Sequence, residues 1–140
     1  MRESSTGLFV KLPEDSNITD LLLATAARTP SLALYARRTG SGWLDVSAAE
    51  FLAEVRAAAK GLMAQGVRPG DTVAVMSGTR YEWTVVDLAI WFAGAVTVPI
   101  YETSSPSQVQ WILSDSGARI VFAGDEGKAR VIEAGAAAGG

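Results

Sequence analysis

Two short loops carry the residues best placed for chemistry in this 140-residue chain. Ser77-Gly78-Thr79-Arg80 and Thr103-Ser104-Ser105 each follow an apolar run that reads as a strand and open a segment that reads as a helix. Free backbone N–H groups and the helix dipole favour anions at such junctions. Ser and Thr are also preferred helix caps whatever a protein does, and capping is the reading these loops favour. Both phosphate fingerprints fail. Gly124-Asp125-Glu126-Gly127-Lys128 has the wrong spacing for G-x-x-x-x-G-K-[ST], and Gly40-Ser41-Gly42 lacks the third glycine of G-x-G-x-x-G.

The sequence contains neither Cys nor His, which removes disulfides, thiol nucleophiles, Ser-His triads and nearly all transition-metal sites. Carboxylates are left as the acid or base candidates near neutral pH. Asp45, Glu50, Glu54, Glu102 and Asp115 are scattered over different elements and read as solvated. Asp87 differs, because it lies in an otherwise apolar helical segment where an unpaired charge is costly to bury. A structural partner, such as an Arg side chain or helix-terminal N–H groups, is favoured over catalysis for it. Trp83, Trp91, Trp111, Tyr81 and Tyr101 offer material for a stacking platform, but core packing is the favoured account of them. Trp43, beside a glycine turn, reads as a cap over a hairpin. No catalytic, cofactor-binding or metal residue is nominated.

Twelve basic against fifteen acidic side chains give a net charge of -3, the wrong sign for a nucleic-acid partner. Hydrophobic residues make up 49% before the 14 glycines are counted, and charged residues 19% against ~25% in ordinary domains. Such a composition expects neighbours. Met1 to Asn17 never assembles the apolar run of an export signal, so a cytoplasmic location is expected. The most apolar stretch, Thr84 to Ile100, is interrupted by Asp87 and Gly94 and falls short of the ~20 residues of a membrane helix.

These residues are positioned by an α/β pattern. Asn17 caps a helix whose stripe is Ile18, Leu21, Leu22 and Ala26, stopped by Pro30. Leu32 to Arg38, the Gly40-Ser41-Gly42 turn and Trp43 to Val46 form an antiparallel hairpin, with Leu32, Leu34 and Ala36 on one face. Ser47-Ala48-Ala49-Glu50 is a capping box for a helix with Phe51, Leu52, Val55, Ala58, Ala59, Leu62 and Met63 inside, and Glu54, Arg56 and Lys60 outside. Gly66 suits a left-handed helix end and Pro69-Gly70 a type II turn. Thr72 to Met76, Val96 to Ile100 and Ile120 to Ala123 contain the nearly continuous apolar runs of strands buried on both faces. Helices over Tyr81 to Ala93 and Pro106 to Ser116 join them, the second capped by Ser105 with Gln108 and closed by Gly117. This is β-α-β-α-β, a parallel-sheet unit. A last helix begins near Asp125, and the Gly135 to Gly140 tract offers it no large apolar residue to bury.

Read as strings, these segments resemble the AMP-binding, adenylate-forming superfamily, and more narrowly the bacterial long-chain fatty-acid–CoA ligases. The matching text is Gly61-Leu62 with Gly66-Val67-Arg68-Pro69-Gly70-Asp71-Thr72-Val73-Ala74, then Ser77-Gly78-Thr79-Arg80-Tyr81-Glu82-Trp83. Ala93 to Tyr101, continuing into Thr103-Ser104-Ser105-Pro106 and Gln108, is the most telling part, with Ile112 to Ala118 after it. The resemblance spans about Asn17 to Ile132 but covers only the opening of the family's fold. It implies residues 1–16 as an N-terminal arm, and 17–140 as part of a larger adenylate-forming large domain, incomplete at the C-terminus.

By the same resemblance, the full-length enzyme uses ATP, magnesium and coenzyme A to turn a fatty acid into its thioester through an acyl-adenylate. The family's phosphate loop, ribose-binding acid, interdomain hinge and small-domain lysine have no counterpart here, and Lys60 and Lys128 match no such motif. The expected partners are the rest of the ligase large domain and, in the whole enzyme, fatty acid, ATP and CoA. Peripheral membrane contact stays open because the implied substrate is a lipid. The segment by itself is expected to be inactive. Two other classes stand beside this: a nucleotide- or CoA-phosphate-binding module built on the two loops, and an interaction protein docking on a full-length relative.

Overall fold

The computed structural model describes residues 3–7 and 13–137, so part of the expected 1–16 arm and the end of the glycine tract, 138–140, lie outside the described residues. The elements run α1 (Ile18–Arg28), β1 (Ala33–Thr39), β2 (Gly42–Ser47), α2 (Ala48–Ala64), β3 (Thr72–Met76), α3 (Tyr81–Phe92), β4 (Val96–Ile100), α4 (Pro106–Ser116), β5 (Ile120–Ala123) and α5 (Glu126–Ala137). This is the α/β architecture expected from the pattern of apolar runs.

Side chains written into the sequence start three of the helices. Asn17 with Asp20, Ser47 with Glu50 and Ser105 with Gln108 each form a reciprocal capping box, satisfying N–H groups that the first turn leaves unpaired. On α1 the buried residue is Leu22, with Leu23 and Ala26 packed beside it. Ile18 and Leu21, expected in the stripe, are exposed, because α1 has more apolar residues than the single flank it lays on its neighbours.

β1 and β2 pair antiparallel with Thr39 opposite Gly42, leaving a two-residue turn. The ladder is irregular between Ala33 and Tyr35, so Leu34 and Tyr35 both turn partly inward and the expected single face of Leu32, Leu34 and Ala36 does not form. Trp43, expected as a cap over the hairpin, is 72% exposed. α2 buries Phe51, Leu52, Val55, Ala59 and Leu62 as expected, but Met63 is exposed and Glu54 is half-buried instead of outward.

Two left-handed glycines end helices and fasten them together. Gly66 (φ 91) follows α2, with its N–H donating to the Met63 carbonyl and that of Val67 to the Leu62 carbonyl, while Val67 and Leu62 share the core. Gly94 (φ 74) repeats this after α3, with Ala95 reaching the Ile90 carbonyl. Between them Pro69-Gly70 forms the type II turn, Gly70 at φ 89 and the Asp71 N–H donating to the Arg68 carbonyl. The Gly70 N–H donates to the Gly94 carbonyl over 2.9 Å, so the two helix ends meet.

β3 lies between β4 and β5, parallel to both, with Val73 opposite Thr97 and Ile120, and Val75 opposite Pro99 and Phe122. Val73 and Val75 face a core shared with α1, α2 and α3. Ala74 and Met76 face another shared with α4 and α5, through Val109, Ile112, Leu113, Val131 and Ile132. Burial on both faces is realised in β3 alone. β4 and β5 are edge strands and only half-buried, because each has one neighbour. The tract expected to offer α5 nothing to bury is used differently: Gly135 is buried against α4, where a Cβ would sit 2.7 Å from the Pro106 carbonyl.

Candidate functional site

The carboxyl ends of parallel strands are where open α/β sheets hold ligands. Three loops meet there: Ser77 to Arg80 after β3, Tyr101 to Ser105 after β4, and Gly124-Asp125 after β5. The fit is close. A Cβ on Gly78 would lie 2.7 Å from Glu102 Oε2, and one on Gly124 would collide with Ser77. Both sequence-nominated loops therefore reach one edge, joined by a third that sequence reasoning set aside.

The charges at this edge are engaged with one another. Arg80 Nε donates to Glu82 Oε2 over 2.6 Å and its Nη1 to the Gly124 carbonyl over 2.9 Å. The bond from Arg80 holds the Glu82 carboxyl below its ordinary range and raises Arg80 in turn. Lys128, whose side chain is 17% exposed, donates to Asp125 Oδ2 at 2.6 Å and lies 3.7 Å from Glu102 Oε2. Asp125 also accepts from the Lys128 N–H, and these two bonds hold its carboxyl below the usual aspartate range while Lys128 is raised. Asp125-x-x-Lys128 is a visible helix-start pair, whereas no sequence signal links Lys128 to Glu102.

Capping, the favoured reading of the two loops, applies to one of them. Ser105 caps α4, but Arg80 occupies the cap position of α3 and makes no side-chain cap bond. Ser77 spends its hydroxyl on the Gly78 carbonyl at 2.9 Å. A nucleotide triphosphate does not fit this edge: both cations are held by carboxylates or a carbonyl, Glu102 and Asp125 add negative charge, and neighbouring groups crowd the glycines where a backbone cradle would form. Among the described residues no group of three or more Asp and Glu is placed to hold a metal ion.

A second polar cluster fastens the hairpin to the helices. The Tyr81 hydroxyl donates to Glu54 Oε2 over 2.8 Å, Arg37 Nη1 lies 3.5 Å from Glu54 Oε1, and the Arg37 guanidinium sits 5.1 Å from the Tyr81 ring centre. Tyr35 and Phe51 close the group, with ring centres 4.6 Å apart. Burial pushes the Tyr81 phenol well above its ordinary value, and the bond to Glu54 adds to this. Glu54, read from sequence as solvated, is thus the anchor of a clamp.

Asp87 is half-buried on α3, and among the described residues its side chain makes no hydrogen bond or ion pair. The expected partner is absent because the carboxylate keeps access to water. Tyr81, Trp83 and Trp91 pack on the core as expected. Tyr101 and Trp111 do not; they are 76% and 67% exposed. Trp111 lines a shallow cleft of about 350 Å³ with Ser104, Ser107, Gln108 and Ile112. The larger cavity, about 580 Å³, lies at the opposite, amino end of β3 and β5 between Gly66, Asp71, Gly117 and Arg119. It lies beside the glycine turns that end α2 and α4, away from the edge where the three loops meet.

Comparison with known proteins gives this arrangement its context. The AMP-binding enzyme family model matches residues 22–139. The chain is 42% identical over 132 residues to the long-chain-fatty-acid–CoA ligase FadD15 of Mycobacterium tuberculosis, covering 94% of this chain and 22% of the ligase. The same figures apply to FadD15 of Mycobacterium bovis. Among solved structures, a Mycobacterium tuberculosis fatty acyl CoA synthetase superposes with a TM-score of 0.76 at 32% identity, over 84% of this chain and 23% of that one. The N-terminal domain of FACL13 from Mycobacterium tuberculosis gives 0.77 at 32% identity, over 85% of this chain and 30% of that one. The chain therefore spans less than a third of each of these relatives. Its length of match, its parallel β4-β3-β5 sheet and its capped helices agree: the chain belongs to the AMP-binding enzyme family.

Proposed function

We propose that this chain forms the opening part of the large domain of a long-chain fatty-acid–CoA ligase, supplying framework instead of reacting groups. The observation that carries the reading is the 42% identity to FadD15 across 94% of the chain. The cations at the carboxyl edge agree with it, since Arg80 and Lys128 are paired with Glu82 and Asp125 of the same edge. In the whole ligase, a fatty acid and ATP with magnesium would give an acyl-adenylate with release of pyrophosphate, and coenzyme A would then take the acyl group with release of AMP. The residues described above hold the strands and helices around that chemistry and carry no step of it. The reading places the protein in the cytoplasm, and its lipid substrate brings peripheral contact with a membrane surface. No helix among the described residues is long and apolar enough to cross one.

Fatty-acid-dependent ATP–pyrophosphate exchange by the purified 140-residue protein tests the reading. The expected rate is that of a no-enzyme control, and exchange above it removes the framework role.

A further inference from the structure

The β1–β2 hairpin is a sheet of its own, and its far end stands clear of the rest of the molecule. Its base is held, with Val46 buried and Tyr35 packed on Phe51. Beyond that base every residue from Arg38 to Asp45 is exposed. Trp43 is 72% and Leu44 51% exposed, and successive strand side chains point to opposite faces, so the ribbon bares apolar surface on both sides. The register sets Arg38 opposite Trp43 and Arg37 opposite Leu44. Arg37 is engaged with Glu54, whereas the Arg38 side chain makes no hydrogen bond or ion pair among the described residues.

Local charge distinguishes this tip. The protein carries a net charge of -3, yet Tyr35 to Leu44 contains Arg37 and Arg38 and no acid. Asp45, next along β2, lies toward the base from Trp43 by about 7 Å, at ~3.4 Å per residue. The exposed aromatic side chains at the carboxyl edge are set among acids instead: Tyr101 precedes Glu102, and Trp111 lies one helical turn from Asp115.

We infer that the hairpin tip is a membrane-docking element, with Trp43 and Leu44 entering the interfacial layer of an anionic lipid surface and Arg38 pairing with its phosphates. The inference rests on the lipid-substrate reading above and names the surface that makes its membrane contact. A protein partner lying against one face of the ribbon would cover Trp43 or Leu44 and leave the other in water. A lipid layer entered end-on surrounds both. Indole settles at the headgroup level, which suits its apolar ring and its N–H together, and a guanidinium matches phosphate oxygens there. The turn limits the depth. Gly40 and Ser41 lie beyond the last ladder pair, Thr39 with Gly42, so their backbone groups need the hydrogen bonding that headgroups and water supply and hydrocarbon does not.

Co-sedimentation of the purified 140-residue chain with vesicles of equimolar phosphatidylcholine and phosphatidylglycerol tests the inference. The chain should bind, and added salt should weaken the binding. Trp43→Ala should lower the partition coefficient by about tenfold and Arg38→Gln by about fivefold, whereas Trp111→Ala should leave it unchanged. All three positions are exposed, so circular dichroism should show the fold intact in each variant. Absence of binding by the unaltered chain, or binding that Trp43→Ala leaves at full strength, overturns the inference. Binding that Trp111→Ala removes does so too, because the carboxyl edge is then the contact. Self-association without vesicles that Trp43→Ala abolishes also overturns it, a second copy being the occupant. None of these outcomes alters the pyrophosphate-exchange measurement, so the ligase reading stands or falls separately.

Discussion

The Tyr81 hydroxyl and the Glu54 carboxylate meet at 2.8 Å, tying the first residue of α3 to the middle of α2. Arg37 approaches the same carboxylate from β1, so one acid gathers three elements. Tyr81→Phe keeps the ring packing against Tyr35 and Phe51 and removes only this bond. We expect a loss of about 1 kcal/mol in chemical denaturation. The raised phenol value also fixes a pH dependence. Above the ordinary tyrosine value, near ~10, the unfolded chain gives up a proton that the folded chain still holds. Stability should be insensitive to Tyr81 below that pH and fall as pH rises past it. Tyr81→Phe should flatten the fall, and a steeper one would contradict the account.

Gly94 and Gly70 allow a comparison in which backbone and contact are separated. Both have positive φ, but a Cβ on Gly94 would lie 3.1 Å from Pro69 Cβ, whereas nothing lies within 4 Å of one on Gly70. Gly70→Ala should cost about 1–2 kcal/mol, the ordinary penalty of a left-handed residue with a side chain. Gly94→Ala should cost more, as it also parts the ends of α2 and α3. Equal melting temperatures for the two variants would show that the close approach carries no energy.

Thr97 Oγ1 is buried in β4 with no hydrogen-bond partner among the described residues. A hydroxyl in that state is a cost, and Val has nearly the same shape without it. Thr97→Val should therefore raise stability by about 1 kcal/mol. Thermal denaturation that shows a loss instead would mean that the hydroxyl is paired in solution.

The elements were largely legible in the sequence because the signals for them are local. Three capping boxes, the Pro69-Gly70 turn and the three apolar runs are each written within a few residues, and β3, β4 and β5 lie where those runs lie. What escaped was set by distance along the chain. Glu54 reads as a solvated residue until Tyr81, 27 positions on, arrives beside it. Lys128 reads as an unmatched lysine until Glu102 is brought to it. Apolar periodicity misled where it named more residues than the fold could cover, as at Leu21 and Met63, and aromatic character misled at Tyr101 and Trp111. Gly135 carried no local signal, because its role is the close seating of one helix on another.

The alternation along β3 has a wider effect. Four consecutive residues, Val73 to Met76, are the common wall of two interiors, with odd positions serving one and even positions the other. Neither interior closes without that wall, so the halves of this polypeptide before and after Gly94 are not separable building blocks. A cut or an insertion there would leave each side holding an unfinished cavity, and both would melt as one.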